Sequence, residues 1–482
     1  MYNHSKLFRR TKILATTGPS TDQEGMLKQL IKTGVNAFRI NCSHGTAEER
    51  IRRITEIRNA ADELNTAVSV LFDLQGPKIR TGKFTTGSIE LTQGQTFTLD
   101  TELGLEAGDS SRVGVTYKHL MDDLSVNDIL LLDDGRIQLQ VTSLDKPCIH
   151  CVVIEGGVLS NHKGINVKGG GLSAPALTEK DIEDLKQAIS LDADYLAVSF
   201  PKCADDMRKA RALLKEHGGE NLSLVAKIER AESIQPDTLD AIILESDIVM
   251  VARGDLGVEV GDAALPQLQK HIIKRARTLD RGVITATQMM ESMIENALPT
   301  RAEIFDVANA VFDGTDAIML SAETAVGAHP IEVIKAVHRT CMQAEQQRVT
   351  SVSKHRVNLT MQSTESAIAM ASMYTLNHLP DALGIAALTE SGQAPMYMSR
   401  ISSGKIIFAA TINKHTFHRM SLYRGVYPVL LRPDEINPDQ QPRMDMVEAL
   451  RKRNVLTQGN QLILTSGVFQ PGGTNTMEIV TI

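Results

Sequence analysis

The sequence predicts an α/β fold: a (β/α)8 barrel of the TIM type, interrupted by an all-β lid domain and followed by a C-terminal α/β regulatory domain. Three observations carry that expectation. Short apolar runs alternate with amphipathic stretches along most of the chain, the pattern of parallel strands joined by crossover helices. Counted outside residues 81–166 and before the C-terminal unit, those runs number eight, which matches a barrel entered three times before the interruption. Within 81–166 the segments are short, β-branched and separated by glycine, with no helical period.

In chain order, 12–17 reads as a strand, 22–33 as a helix, 37–43 as a strand, 46–64 as a helix and 69–73 as a strand. At Gln75-Gly76-Pro77 the alternation breaks. It resumes with helix 179–189, strand 195–200, helix 204–216 and then two strands, 222–229 and 248–254. Helix 265–279, strand 283–287, helix 300–312 and strand 317–321 complete the barrel. Helix 331–347 leads out, and the polar stretch 351–363 reads as a linker. Beyond it, strands 382–388, 405–410, 426–430, 461–465 and 477–482 alternate with helices such as 365–377 and 444–453. The expected division is therefore barrel at 1–75 and 167–348, insertion at 76–166 and C-terminal unit at 349–482. An open doubly wound sheet is the competing architecture, but no glycine-rich dinucleotide fingerprint follows a strand and no Walker A sequence occurs.

Composition excludes several classes. A net charge of −7 and a pI near 6.0 argue against a nucleic-acid partner. No apolar run reaches the length needed to cross a bilayer, and Arg9 and Arg10 are followed by too short an apolar stretch for a signal peptide, so no membrane association is expected. The five cysteines are few, odd in number and dispersed, as in a reducing cytoplasm. Cys148 and Cys151 form a CxxC in an apparent strand, where residues three apart face opposite ways, so they read as ordinary thiols.

The chemistry is written at the strand ends. In Leu222 to Ile234, Lys227 and Glu229 are two apart at the end of an apolar strand and share a face. Alone, that is an ion pair at a strand terminus. A second apolar strand, however, ends in Arg253-Gly254-Asp255, and the active face of such a barrel is the C-terminal rim of its strands. The same rim carries Arg39, Asn41 and Ser43 at period two, then Asp73, Thr285 and Thr287, and Ser321 with Glu323. Any one Thr or Asn there could simply bond nearby backbone; together the residues suit an anion and a cation held side by side. Glu229 and Asp255 are hard oxygen ligands without thiolate or imidazole company, which points to Mg2+ or Mn2+. Metal, lysine and arginine together suggest phosphoryl transfer.

These motifs resemble the pyruvate kinase family along essentially the whole chain. The resemblance rests on Val225-Ala226-Lys227-Ile228-Glu229, Met250 to Glu259, Ile284 to Met290, Pro299 to Glu303, Asp313-Gly314-Thr315-Asp316, Met319 to Ala325, and Arg39 to Gly45. It implies the conversion of phosphoenolpyruvate and ADP to pyruvate and ATP. It further implies that Lys227 stabilises the phosphoryl group in transit and that Glu229 and Asp255 hold Mg2+. Arg39, Gly254, Asp255 and Thr287 would engage the substrate, with Thr287 near the site of enolate protonation and Ser321 a further catalytic candidate. Asn41, Cys42, Ser43, His44, Arg80 and Lys163 would contact the nucleotide. Glycines at 76 and at 169–171 would hinge the lid.

Two departures bear on the monovalent cation. Many members bind K+ through residues matching Asn41, Ser43, Asp73 and the next carbonyl, where threonine is usual and this chain has Leu74. Those members have glutamate where this chain has Lys78, so its ammonium is expected to replace K+. In the C-terminal unit, Thr389, Ser391, Gly392 and Gln393 match the family's effector loop, faced by residues 472–475. Because Gln393 lacks a positive charge, a sugar monophosphate or AMP is expected rather than a bisphosphate. The resemblance also implies a homotetramer. A metal-dependent lyase acting on an enolate, and a catalytically silent sugar-phosphate sensor, are the alternative readings.

Overall fold

In the computed structural model, residues 8–352, 360–437, 439–467 and 473–482 are described. Eight parallel strands close into a barrel: Lys12–Thr16, Ala37–Asn41, Ser69–Asp73, Tyr195–Val198, Ser223–Ile228, Ile248–Ala252, Gly282–Ala286 and Ala317–Leu320. They are numbered one to eight below. The helices that cover them begin where sequence chemistry dictates. Thr46, Thr178 and Thr300 each accept a hydrogen bond from the backbone three residues on, and Glu49, Asp181 and Glu303 reach back to close the box.

The differences from expectation lie at strand ends. Strand two stops at Asn41, so Ser43 lies in the turn beyond it. Strand six stops at Ala252 and helix Arg253–Val260 starts at once. Gly254 and Asp255 therefore occupy a helix's first turn rather than a strand, where an acidic side chain complements the unpaired N–H groups. Helix Pro236–Leu244 fills the gap that was read without one. Its proline suits the first helical position, and Leu239, Ile242 and Ile243 give it a buried stripe at helical spacing. Near the N-terminus, a 3-10 turn at Pro19–Thr21 precedes the expected helix, and the α-helix itself starts later, running Met26–Thr33.

Two apolar layers hold the barrel. One lies between strands and helices; the other fills the interior with Leu14, Leu71, Tyr195, Val225, Ile248, Met250, Ile284 and Met319. Leu422 of the C-terminal unit joins that interior cluster, and Arg419 O accepts the Tyr195 hydroxyl at 2.7 Å. The inserted unit has its own core beneath a six-stranded sheet and a two-stranded ribbon. Within its strand Cys148–Glu155, Cys151 is buried and Cys148 only half-buried, on opposite faces as the spacing requires. It is joined to the barrel at Gly76-Pro77 and at Gly169 to Gly171, all three of the latter with positive φ. There Glu259 O accepts from Gly169 N at 3.2 Å and Glu232 Oε1 from Gly171 N at 2.5 Å.

The C-terminal unit is a five-stranded sheet in the order Val426–Leu430, Ile406–Thr411, Ala382–Leu388, Gln461–Ser466 and Thr476–Thr481, the last strand antiparallel. Most of the segment read as a linker, 353–359, lies outside the described residues. The unit is fastened to the barrel floor by a buried ion pair. Arg400 and Asp316 are each 1 % exposed, and the Asp316 carboxylate also accepts Arg424 N and Val283 N, both at 2.9 Å. Breaking such a pair leaves an uncompensated buried charge, so Arg400→Met is expected to lower stability by about 3 kcal/mol in urea unfolding; a change under about 1 kcal/mol would mean the junction does not depend on it.

Candidate active site

The site is assembled at the C-terminal rim by period-two projection from neighbouring strands. Strand five presents Lys227, and Glu229 follows immediately after its end; Lys227 Nζ lies 2.8 Å from Glu229 Oε1. Strand three ends in Asp73, whose Oδ1 is 3.3 Å from Lys227 Nζ and whose Oδ2 accepts Arg39 Nε at 2.6 Å. Arg39, Asp73, Lys227 and Glu229 thus form one chain of alternating charge drawn from three strands. Arg39, Asn41, Ser43, Asp73, Lys227, Glu229, Asp255, Thr287 and Ser321 all line a single cavity at the barrel mouth.

Burial sets the electrostatics. Desolvation alone would depress the Lys227 ammonium, yet Asp73 and then Glu229 outweigh it and hold its pKa above the ordinary lysine value. Burial likewise opposes charge on Asp73, but Lys227 and Arg39 keep its pKa low. Glu229 is different. Burial pushes it up to about 7, only partly offset by Lys227 and reinforced by the negative charge of Asp255. Its Oε2 accepts Phe200 N at 2.8 Å, while Oε1 is buried and meets Lys227 without a directed hydrogen bond.

A divalent cation fits that donor set. Two carboxylates, Glu229 and Asp255, face one cavity, and one carries a buried oxygen with no directed hydrogen bond. Among the described residues no three His, Cys, Asp or Glu side chains gather as a complete metal cage. Mg2+ does not require one, since water and substrate oxygens supply its remaining ligands.

Thr287 owes its position to backbone strain and to an arginine the sequence reading did not single out. Thr287 and Gln288 have φ of 65° and 55°, the left-handed region that costs a β-branched residue most. The buried Arg253 guanidinium holds that turn: Nη2 donates to Thr287 O at 2.5 Å and Gln288 O at 3.1 Å, and Nη1 to Asp306 Oδ1 at 2.7 Å. Thr287 Oγ1 in turn accepts Gly254 N at 2.9 Å, joining strand seven to the helix that carries Asp255. Ser321 lines the cavity, and its N–H donates to Glu323 Oε2 at 2.6 Å.

Around the expected monovalent site, Asn41 Oδ1 accepts Ser43 N at 3.1 Å and Ser43 Oγ accepts Lys78 Nζ at 3.0 Å. The Leu74 carbonyl is buried and accepts Ser199 Oγ at 2.7 Å. The Lys78 pKa is lowered by burial first and then by Arg80 and Lys227, against the pull of Asp255 and Asp73.

A second cavity lies between the insertion and the barrel, lined by residues including Lys78, Arg80, His162, Phe200, Asp255 and Glu259. It shares Lys78, Phe200 and Asp255 with the first. His44 is held toward its neutral form by burial, with Lys78, Arg80 and Arg39 adding to the effect. The other expected nucleotide contacts are less direct. The Cys42 side chain belongs to the hydrophobic core and burial raises its pKa. Its carbonyl accepts Lys180 Nζ at 2.8 Å. Lys163 pairs with Asp133 inside the insertion at 2.7 Å and does not line the cavity.

At the expected effector loop, Gly392 N donates to Thr389 Oγ1 at 2.9 Å and Gln393 N to Ser391 Oγ at 3.3 Å, with Gly392 at φ 79° before helix Gln393–Ser399. Of the facing loop, Gly472 lies outside the described residues.

Sequence reasoning missed Ser199, Phe200 and Arg253. Ser199-Phe200 was read only as a strand end, although a serine after Tyr195-Leu196-Ala197-Val198 at a barrel rim is itself a polar signal. Arg253 was read as part of a strand, where its role as a cup for distant carbonyls could not be foreseen.

Comparison with known proteins identifies the family. Residues 8–334 match the family model described as pyruvate kinase, barrel domain, and residues 366–480 match that described as pyruvate kinase, alpha/beta domain. A pyruvate kinase of Buchnera aphidicola subsp. Schizaphis graminum is 50% identical, covering 98% of each chain. Pyruvate kinase II of Salmonella typhimurium is 48% identical over 99% of this chain and 100% of its own. The pyruvate kinase of Geobacillus stearothermophilus is 39% identical over 98% of this chain and 80% of its own. With both its barrel and its C-terminal unit matched, the chain belongs to the pyruvate kinase family of phosphotransferases.

Proposed function

We propose that this protein transfers the phosphoryl group of phosphoenolpyruvate to ADP, giving pyruvate and ATP, with Mg2+ or Mn2+ held by Glu229 and Asp255. The observation that carries the reading is the Lys227 ammonium, fixed between Asp73 and Glu229 in a cavity that Asp255 and Thr287 also line. In the transfer, the bond from phosphorus to the enol oxygen breaks as a bond to a terminal oxygen of ADP forms. The divalent ion, when bound, neutralises phosphoryl charge. Lys227 stabilises the group in passage, a task of positioning and electrostatics that needs no protein nucleophile. Arg39 and the backbone of Gly254 orient the substrate. The enolate left behind takes a proton at carbon near Thr287, with Ser321 beside the same cavity.

The insertion, residues 76–166, acts as a lid that excludes water from this transfer. Asn41 to His44, Arg80 and Lys163 contact the nucleotide; for Lys163 that requires release from Asp133. The C-terminal unit, 349–482, takes a phosphorylated effector at Thr389, Ser391, Gly392 and Gln393. The family resemblance supports a homotetramer, and exposed apolar side chains on the barrel, among them Leu298 at 75% and Phe305 at 74%, suit self-association, which sedimentation velocity reads directly. A cytoplasmic location accords with the dispersed free cysteines. Among the described residues, no helix is long and apolar enough to cross a membrane.

Three outcomes are expected. In a lactate-dehydrogenase-coupled assay with phosphoenolpyruvate, ADP and Mg2+, the wild type turns over and Lys227→Met does not, while its circular dichroism is unchanged; an active Lys227→Met would remove the mechanism. In potassium-free Tris buffer, turnover is close to its value with KCl, because the Lys78 ammonium stands in the cation site. A rise of about tenfold or more on adding KCl, ~1.4 kcal/mol of barrier, would refute that substitution. Finally, a sugar monophosphate or AMP shifts the phosphoenolpyruvate saturation curve more than a sugar bisphosphate does, and the shift is lost in Ser391→Asp; the reverse preference would overturn the reading of Gln393.

A further inference from the structure

We infer that Ser199, which lines neither cavity, is the positioning residue that fixes the Lys227 ammonium for phosphoryl transfer. The inference rests on the role given to Lys227 above. Ser199 follows strand four directly and is 1 % exposed. Its hydroxyl makes two short hydrogen bonds, to Lys227 Nζ at 2.8 Å and to the Leu74 carbonyl at 2.7 Å. An ammonium only donates, so Ser199 Oγ accepts from Lys227; a carbonyl only accepts, so the single hydroxyl proton goes to Leu74. Both ends of the hydroxyl are thereby determined, and it bridges the exit of strand three to the side chain of strand five.

The two carboxylates around Lys227 supply charge, and each is also committed elsewhere. Asp73 Oδ1 at 3.3 Å and Glu229 Oε1 at 2.8 Å form ion pairs with the ammonium. Each also has another partner: Asp73 holds Arg39, and Glu229 holds the Phe200 N–H and is assigned to the divalent ion. Charge sets the protonation of Lys227, and Ser199 adds a neutral hydrogen bond from a fixed point on the neighbouring strand. Among the described residues it is the one neutral hydrogen-bond partner of Lys227, and no other step in the proposed reaction engages it.

The seat itself is rigid. Phe200 has φ of 55°, a left-handed conformation for a non-glycine residue, and its N–H is committed to Glu229 Oε2. A Cβ placed on Gly76 would lie 2.8 Å from Ser199 Cβ, so the chain entering the insertion passes this serine too closely for any residue but glycine. Gly76 is tied in turn through its N–H to Asp181 Oδ1 at 3.0 Å. Ser199 and the strained Phe200 therefore meet the two functional groups at the end of strand five, the lysine through a side chain and the glutamate through a backbone N–H.

A loss of direction without loss of charge is expected to act on turnover rather than on binding. Ser199→Ala should lower kcat by about tenfold with the phosphoenolpyruvate KM within about threefold and the melting midpoint nearly unchanged, and Ser199→Thr, which keeps the hydroxyl, should recover most of the loss. Wild-type kcat in Ser199→Ala, a loss confined to KM, or a folded Ser199→Thr no better than Ser199→Ala would each overturn the inference. If Ser199→Ala does not fold, Ser199→Thr decides: turnover near wild type supports it, and turnover as low as that of Lys227→Met refutes it. Lys227→Met, measured alongside, separates the two claims. Survival of its turnover would remove the reading of Lys227 and this inference with it. An inactive Lys227→Met beside a fully active Ser199→Ala would overturn the role of Ser199 alone.

Discussion

A lysine ammonium taken out of water at the barrel mouth is the constraint to which the rest of the site answers. Desolvating such a charge costs several kcal/mol unless opposite charge is close, and two carboxylates supply it from two different strands. Compensation is deliberately uneven. Asp73 is shared with Arg39 and settled as an anion, whereas Glu229 has burial working against its charge and Asp255 adding to the strain. A divalent ion at Glu229 and Asp255 would relieve the electrostatic tension that burial leaves on Glu229.

Holding those charges requires loops more precise than the strands they extend. At two rim positions the backbone adopts left-handed conformations on residues that resist them, Phe200 and the Thr287-Gln288 pair. Each is over-determined by neighbours. Phe200 is held through Glu229, with the Arg230 guanidinium 5.6 Å from its ring. Thr287 sits in the fork of Arg253, whose far end is anchored on Asp306. Arginine suits this use because its planar set of donors can serve several carbonyls and a carboxylate at once.

At the opposite end of the barrel the same physics serves attachment. Asp316, just before strand eight, draws Arg400 and the backbone of Arg424 onto the floor, and Leu422 enters the interior cluster. The C-terminal unit therefore reaches into the same interior cluster as Val225 and Met250, on the strands that carry Lys227 and lead to Asp255. That continuity gives the C-terminal unit a packed route toward the site.

The order of elements, the eight strands, the all-β interruption and the period-two placement of Lys227 and Glu229 were legible along the chain, because periodicity and capping boxes act over a few residues. Helix Pro236–Leu244 escaped notice since its short apolar stripe blends into a continuous run. Ser43, Gly254 and Asp255 were assigned to strands that had already ended. What the sequence determined by itself was which charged groups reach the rim. What only the tertiary structure decided was their partners: Asp73 between Arg39 and Lys227, Ser199 under Lys227, Arg253 around Thr287, Lys163 turned to Asp133. Local pattern fixes the direction in which a side chain leaves its own strand, but the cost of burying its charge is settled by groups tens or hundreds of residues away.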